Sequence, residues 1–197
     1  ILSLLSFATY PSVALEIQRD WLLTNFHVGF IFGILFIGYI SSTFFLTSLT
    51  DYFSAKKIYI ISLFIIFIST IGFGSLASDL YSGSFWRILQ GIGLAGTYMP
   101  GLKLLTDLLP NKLESRGTAF YTSSWSIGTG CSFYISGKIN ELFMWNTAFE
   151  VTSIGPFLAI ILSIFLIPNK KVKYLKFETI HIKKVLSNKK AVGYALS

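Results

Sequence analysis

The feature that most restricts the fold is a succession of long apolar blocks along almost the whole chain. A helix needs about 20 apolar residues to cross roughly 30 Å of hydrocarbon. Five blocks reach that length: Phe26–Thr50, Ile58–Ser78, Ser84–Thr106, Gly117–Lys138 and Ala148–Ile167. The opening block, Ile1–Leu15, is equally apolar but extends only ~22 Å as a helix. A signal peptide would carry a basic lead-in and a small-residue cleavage site. Neither is present, and Glu16 to Asp20 does not resemble such a site, so the block reads as a first transmembrane helix lacking its start. Charged residues make up only 13% of the chain and its mean hydropathy is +0.65. A soluble domain carries roughly 25% charged residues to cover its surface, so the lipid bilayer is the expected solvent.

The net charge of +7 does not point to nucleic acid, because eight of the sixteen Lys and Arg residues lie between Lys170 and Lys190, beside the last complete block. Charge gathered next to an apolar span is a topology signal. Lys56 and Lys57 follow the second block, Lys112 and Arg116 the fourth, and the lysine-rich stretch the sixth. The alternate connections are poor in basic residues and hold Trp21, Trp86 and Trp145. The positive-inside rule therefore predicts six spans with both ends cytoplasmic, and three indoles anchored at the outer interface. The expected organisation is a six-helix bundle over residues 1–168, a basic cytoplasmic linker over 169–190, and, at 191–197, either the start of a seventh helix or a frayed tail.

Cys131 stands alone, and His27 and His181 lie far apart, so neither a thiolate metal site nor a disulfide framework is predicted, and no cofactor. No Ser/His/Asp set, HExxH or intramembrane carboxylate pair is present to support an enzyme. Ala8-Thr9-Tyr10-Pro11 in the first block is echoed by Gly96-Thr97-Tyr98-Met99-Pro100 in the fourth. Proline removes a helical hydrogen bond and kinks the helix, which in a bilayer requires neighbouring protein or a cavity. Matching interruptions three helices apart point to a carrier built from two inverted three-helix repeats.

Arg87, one of three arginines, lies inside the fourth block. A guanidinium at that depth costs about 2.5–3.5 kcal/mol on insertion scales. It either faces a cavity or a partner, or extends its long stem back to the interface beside Trp86. Helical projection places Arg87, Gly91, Leu94, Tyr98 and Gly101 on one face, with Gln90 beside it. On the first block Ser3, Ser6 and Tyr10 share a face. Arg87, Gln90, Tyr98, Tyr10 and Ser6 are the candidate solute contacts; interhelical hydrogen bonding is the alternative for the uncharged ones. Gly29, Gly33, Gly38, Gly128 and Gly130 fit close helix packing better than binding. A cationic residue with no opposing membrane acid favours a small anionic solute.

Arg87-Ile88-Leu89-Gln90-Gly91-Ile92-Gly93 resembles the R-x-x-Q-G-x-G signature of the major facilitator superfamily. Its continuation to Gly101 is similar to branches that include cyanate- and nitrate-type carriers. After the second block, Asp51 and Lys56 match the superfamily's G-x-x-x-D-R-x-G-R-R element, with Thr47, Tyr52, Ser54 and Ala55 departing from it. Glu114-Ser115-Arg116-Gly117-Thr118-Ala119 is similar to E-x-R-G-x-A, and Trp145 to Phe149 to W-R-x-x-F with Asn146 in place of arginine. The fifth block lacks the glycine–proline pair of antiporter branches. The resemblance implies an all-α polytopic membrane protein, and a carrier of a small solute completed by a second, carboxy-terminal six-helix half. It further implies alternating access, with Asp51, Lys56, Glu114 and Arg116 closing the cytoplasmic side. The competing class is a self-contained six-helix accessory subunit or membrane-embedded enzyme.

Overall fold

The computed structural model describes residues 1–50 and 52–168, so Asp51, the basic linker and the segment 191–197 lie outside the described residues. A 3-10 turn at Leu2–Leu4 precedes six α-helices: α1 (Thr9–Asp20), α2 (Asn25–Leu49), α3 (Ala55–Leu76), α4 (Leu80–Leu108), α5 (Asn111–Leu142) and α6 (Trp145–Leu166). Length and composition suffice for a membrane span in α2, α3 and α6, with mean hydropathy of 2.0, 2.1 and 2.0. At 29 and 32 residues, α4 and α5 are longer but more polar, carrying Arg87 and Lys103 and a run of Ser and Thr.

The first helix differs from its expected form. It does not run unbroken from Ile1 to Leu15; residues 5–8 form turns outside any helix, and α1 extends to Asp20. Pro11 explains the break. It has no N–H for the Phe7 carbonyl and its ring crowds that carbonyl, so it is accommodated only in the first turn of a helix restarted at Thr9. The exposed backbone is secured by α5. Ser132 Oγ accepts from Ala8 N at 3.0 Å and donates to the Leu5 carbonyl at 2.6 Å. Thr9 Oγ1 bonds Thr152 of α6 and Ser136 of α5, both at 3.0 Å. At its other end α1 closes with Leu22 in the left-handed region (φ 51°), Leu22 N donating to Arg19 O at 3.4 Å and Leu23 N to Gln18 O at 2.9 Å. That is the Schellman pattern, usually built on glycine.

Most helix pairings follow an exchange of the first three helices for the last three, although α5 packs on α6 without an equally extensive counterpart between α2 and α3 among the described residues. α2 packs on α4 as α5 packs on α1; α3 packs on α4 as α6 packs on α1; α1 meets α2 as α4 meets α5; and α3 packs on α6. Because successive helices alternate in direction, the two triplets are inverted with respect to each other.

Small residues set the closest approaches. A Cβ on Gly38 would overlap the Ile88 carbonyl oxygen, and one on Gly128 would lie 2.8 Å from Leu4 Cβ. Gly29, Gly33 and Gly130 have nothing within 4 Å, so the packing role expected of all five glycines holds for two among the described residues. Trp21 and Trp145 meet edge to face at 5.6 Å and pack with Phe73 and Phe149 in one core cluster. Trp145 is 7% exposed and its indole N–H donates to Asp20 at 2.6 Å. The Trp86 ring fills the space beside Gly72. Trp21 and Trp145 thus pack against aromatic neighbours, while Trp86 fills a gap left by a glycine.

Candidate solute-binding site

α4 brings Arg87 and Gln90 together because they stand one turn apart, and the break before α1 brings Ser6 and Tyr10 against them. Arg87 is 1% exposed. Its Nη1 donates to Gln90 Oε1 at 2.6 Å, and its guanidinium carbon lies 5.0 Å from the centre of the Tyr10 ring. Gln90 Nε2 donates to the Ser6 carbonyl at 3.0 Å and approaches Ser6 Oγ and Thr70 Oγ1 at 3.5 and 3.4 Å. Tyr10 turns its hydroxyl to the Val28 carbonyl at 3.0 Å. Four of the five sequence candidates thus form one buried cluster that ties α4 to α1, α2 and α3. Arg87 points inward and does not reach back to the interface beside Trp86. Among the described residues its Nε has no hydrogen-bond partner, nor has the hydroxyl of Ser84 one turn earlier. Among the described residues no carboxylate pairs with this buried cation, whose charge is compensated by the Gln90 oxygen and the tyrosine face alone.

Tyr98, the fifth candidate, lies apart from the cluster. With Leu94 it forms one wall of a cleft of about 330 Å³ between α2, α4 and α5. Phe36 and Tyr39 come from α2, and Thr122, Trp125 and Ser126 from α5. Tyr98 and Leu94 also border a narrower space of about 40 Å³ that Ser3, Tyr59 and Tyr121 reach. Ser3 therefore parts from Ser6 and Tyr10, since the broken backbone cancels the helical projection that grouped them. The projected α4 face is not a continuous pathway either. A Cβ on Gly91 would overlap the Leu35 carbonyl oxygen of α2, and Gly101 is covered by Tyr59 and Tyr121.

At the lysine-rich end, Lys56 donates to the carbonyls of Ile164 and Ile167 at 3.1 and 2.5 Å, closing the last turn of α6. Lys103, not singled out by sequence, donates to Thr50 O and Oγ1 at 3.3 and 3.1 Å. Glu114 and Arg116 are exposed at the start of α5, and no hydrogen bond or ion pair among the described residues joins them to Lys56. Ser132, Ser136 and Thr152 were also missed. The signal for the α5 pair was Gly128, Ser132 and Ser136, a small residue at every fourth position and the buried stripe of that helix. Trp125 and Tyr121 carried no comparable signal, because aromatic residues are spread through all the blocks.

Inverted helix triplets, membrane-length apolar helices and a guanidinium buried among them describe a multi-pass membrane bundle. A family model described as Major Facilitator Superfamily matches residues 1–193, and the chain belongs to that superfamily. Similar curated proteins include a sialic acid transporter of Escherichia coli, 25% identical over 135 residues, 68% of this chain and 33% of the relative. A niacin transporter of Acinetobacter baylyi is 27% identical over 133 residues, 68% of this chain and 30% of the relative. A 4-hydroxybenzoate transporter of Pseudomonas aeruginosa is 23% identical over 176 residues, 87% of this chain and 38% of the relative. The matches thus span about a third of these relatives' length.

Proposed function

We propose that the protein carrying this chain is a secondary carrier of a small organic anion across a cell (inner) membrane, working by alternating access. The observation that carries the reading is Arg87, a fully buried guanidinium with no carboxylate partner among the described residues. A cation so placed is costly unless a ligand or a second protein element compensates it. The solute's carboxylate is the natural partner, with Gln90, Ser6 and Tyr10 arranging the guanidinium and Tyr98 lining the approach. The relatives' names support an organic acid: sialic acid, niacin and 4-hydroxybenzoate are all carboxylic acids. None of these three is a cyanate or nitrate carrier, so the reading moves from an inorganic-sized anion to an organic one. The lysine-rich end is cytoplasmic by the positive-inside rule, and there Asp51, Lys56, Glu114 and Arg116 control closure. A second six-helix half completes the cavity, as relatives about twice as long as this chain suggest. Transport requires only that solute binding energies differ between the inward- and outward-open states.

The test is uptake of labelled organic acids by the native protein in proteoliposomes. Arg87→Ala lowers uptake of the transported acid by at least tenfold, and Arg87→Lys restores only part of it because lysine lacks the planar fork. Unchanged uptake of every acid tested by folded Arg87→Ala would exclude Arg87 as the anion contact.

A further inference from the structure

We propose that the cleft between α2, α4 and α5 receives the aromatic ring of the solute, so that the transported acid is a planar aromatic carboxylate. This rests on the carrier reading above and specifies its substrate class. The cleft is walled by rings from three helices: Phe36 and Tyr39 on α2, Tyr98 on α4 and Trp125 on α5. Among the described residues no charged side chain lines it, so the part of a solute held there is neutral. Its volume of about 330 Å³ falls at the small end of the ~300–1,000 Å³ typical of small-molecule sites, which suits a one- or two-ring compound.

The walls are built, not incidental. Trp125 is braced by Phe7 at 5.2 Å and meets Tyr98 nearly at right angles at 5.1 Å. Tyr98 is backed in turn by Tyr121 at 5.5 Å. Leu94, at the base, belongs to a buried cluster with Leu4 and Leu35, against which Phe7, Tyr39 and Trp125 pack. Fixed rings in edge and tilted orientations present both faces and edges to an incoming ring, a geometry that favours aromatic over saturated partners beyond the area buried. An aliphatic chain would be served as well by Leu and Val, which are scarce here. Polar atoms stand at the rim in a pattern that suits ring substituents. Thr122 Oγ1 donates to the Thr118 carbonyl at 2.9 Å and keeps its oxygen lone pairs for a donor on the ring, and Ser126 adds a second hydroxyl on the same side.

The experiment titrates the native protein, purified in detergent, with benzoate and with cyclohexanecarboxylate, which share charge and approximate size but differ in aromaticity. Benzoate binds roughly threefold to tenfold more tightly, and Trp125→Leu removes the difference while leaving the helical circular dichroism intact. Tyr39→Leu serves the same purpose should Trp125→Leu fail to fold. Equal affinities, absence of binding by either acid, or a preference intact in the folded variants overturns the proposal. Counterflow in proteoliposomes separates the two readings. Acids exchanged across the membrane without regard to aromaticity sink the aromatic site and leave the carrier. Benzoate bound with preference but never exchanged leaves the aromatic site and sinks the carrier.

Discussion

The side-chain amide of Gln90 donates to the backbone carbonyl of Ser6 at 3.0 Å, while its oxygen accepts from Arg87 at 2.6 Å. One neutral residue therefore serves two demands that a bilayer makes expensive: a carbonyl released by the break before α1, and a guanidinium with no acid beside it among the described residues. The geometry also explains why glutamine fits better than a carboxylate here, since Ser6 requires a donor and Arg87 an acceptor.

Gln90→Ala leaves the Ser6 carbonyl and the Arg87 Nη1 both buried and unpaired. Each such group costs about 1–3 kcal/mol, so the substitution destabilises the bundle by about 2–6 kcal/mol. Gln90→Glu keeps the acceptor for Arg87 but turns a carboxylate toward the Ser6 carbonyl, and loses less. Thermal unfolding in detergent should rank native above Glu above Ala. An alanine variant melting with the native protein would show that the contacts are not maintained in the membrane.

The helix interface between α2 and α4 depends on absent side chains. A Cβ at Gly91 overlaps the Leu35 carbonyl oxygen and stands 2.9 Å from Tyr39 N, both backbone atoms that cannot rotate aside. Gly91→Ala therefore pushes α2 off α4 and costs about 1–3 kcal/mol. Gly33→Ala meets nothing within 4 Å and changes stability by less than about 0.5 kcal/mol. Yield and monodispersity on size exclusion distinguish them, and equal behaviour of the two would contradict the close approach.

Apolar runs made α2, α3 and α6 easy to find, because all three are hydrophobic on nearly every side, α2 with most of its surface turned outward and α3 with half of its span buried against neighbours. α4 and α5 were legible in number but not in extent: their ends carry polar residues such as Asp79, Ser82 and Glu114 that block-reading excludes. Arg87 stood out by its rarity inside a span, and Gln90 by its place in a signature. What joined them to Ser6 and Tyr10 was the restart of the first helix at Thr9, a three-dimensional consequence of Pro11 that helical projection could not represent. The packing of Trp21 and Trp145 on Phe73 was likewise not legible, because the position of an indole along the chain does not say which rings it meets.

Leu22 occupies the left-handed position of the α1 terminus with its side chain 90% exposed, so it contributes strain without packing. An L-residue there costs about 1–2 kcal/mol, and glycine returns part of that gain through the entropy of the unfolded chain, about 0.5–1 kcal/mol. Leu22→Gly should stabilise by about 0.5–1 kcal/mol, and Leu22→Val, with its branched Cβ, should destabilise. Opposite shifts in the unfolding midpoint of the two variants check the assignment; shifts of the same sign refute it.

Asp79 caps α4, its carboxylate accepting from Ser82 N at 2.8 Å and contacting the Ser82 hydroxyl, while Ser82 Oγ accepts from Asp79 N at 3.1 Å. The Ser82 hydroxyl and amide bonds hold its carboxyl below the usual carboxylate range. A depressed folded-state value means that the cap's contribution is fully present above the unfolded value of ~3.9 and is lost as pH falls through the lower folded value. Asp79→Asn keeps an acceptor and removes the titration. Between about pH 5 and pH 2 the native protein should lose stability relative to Asp79→Asn, measured as the difference in their unfolding midpoints. A constant difference across that range would show that the cap does not titrate.

Pro100 lies inside α4 and withholds an N–H from the Gly96 carbonyl, and its ring crowds the turn before it. Tyr121 of α5 sets its hydroxyl against that turn, 3.0 Å from the Thr97 carbonyl and 2.8 Å from that of Tyr98. The hydroxyl supplies hydrogen bonding where the proline loosens the helix, and α4 passes through Pro100 unbroken. Tyr121→Phe retains the ring packed on Tyr98 and deletes only this donor, a loss of about 1 kcal/mol. Pro100→Ala restores the missing N–H and tightens the turn, so the same Tyr121→Phe change costs less in that background. A double-mutant cycle should therefore give a coupling of about 0.5–1 kcal/mol between the two positions. Tyr98 leaves α4 within this turn, so loosening it should also weaken solute binding in the α2–α4–α5 cleft. Additive stabilities together with unaltered binding would mean that Tyr121 packs against α4 without supporting its backbone.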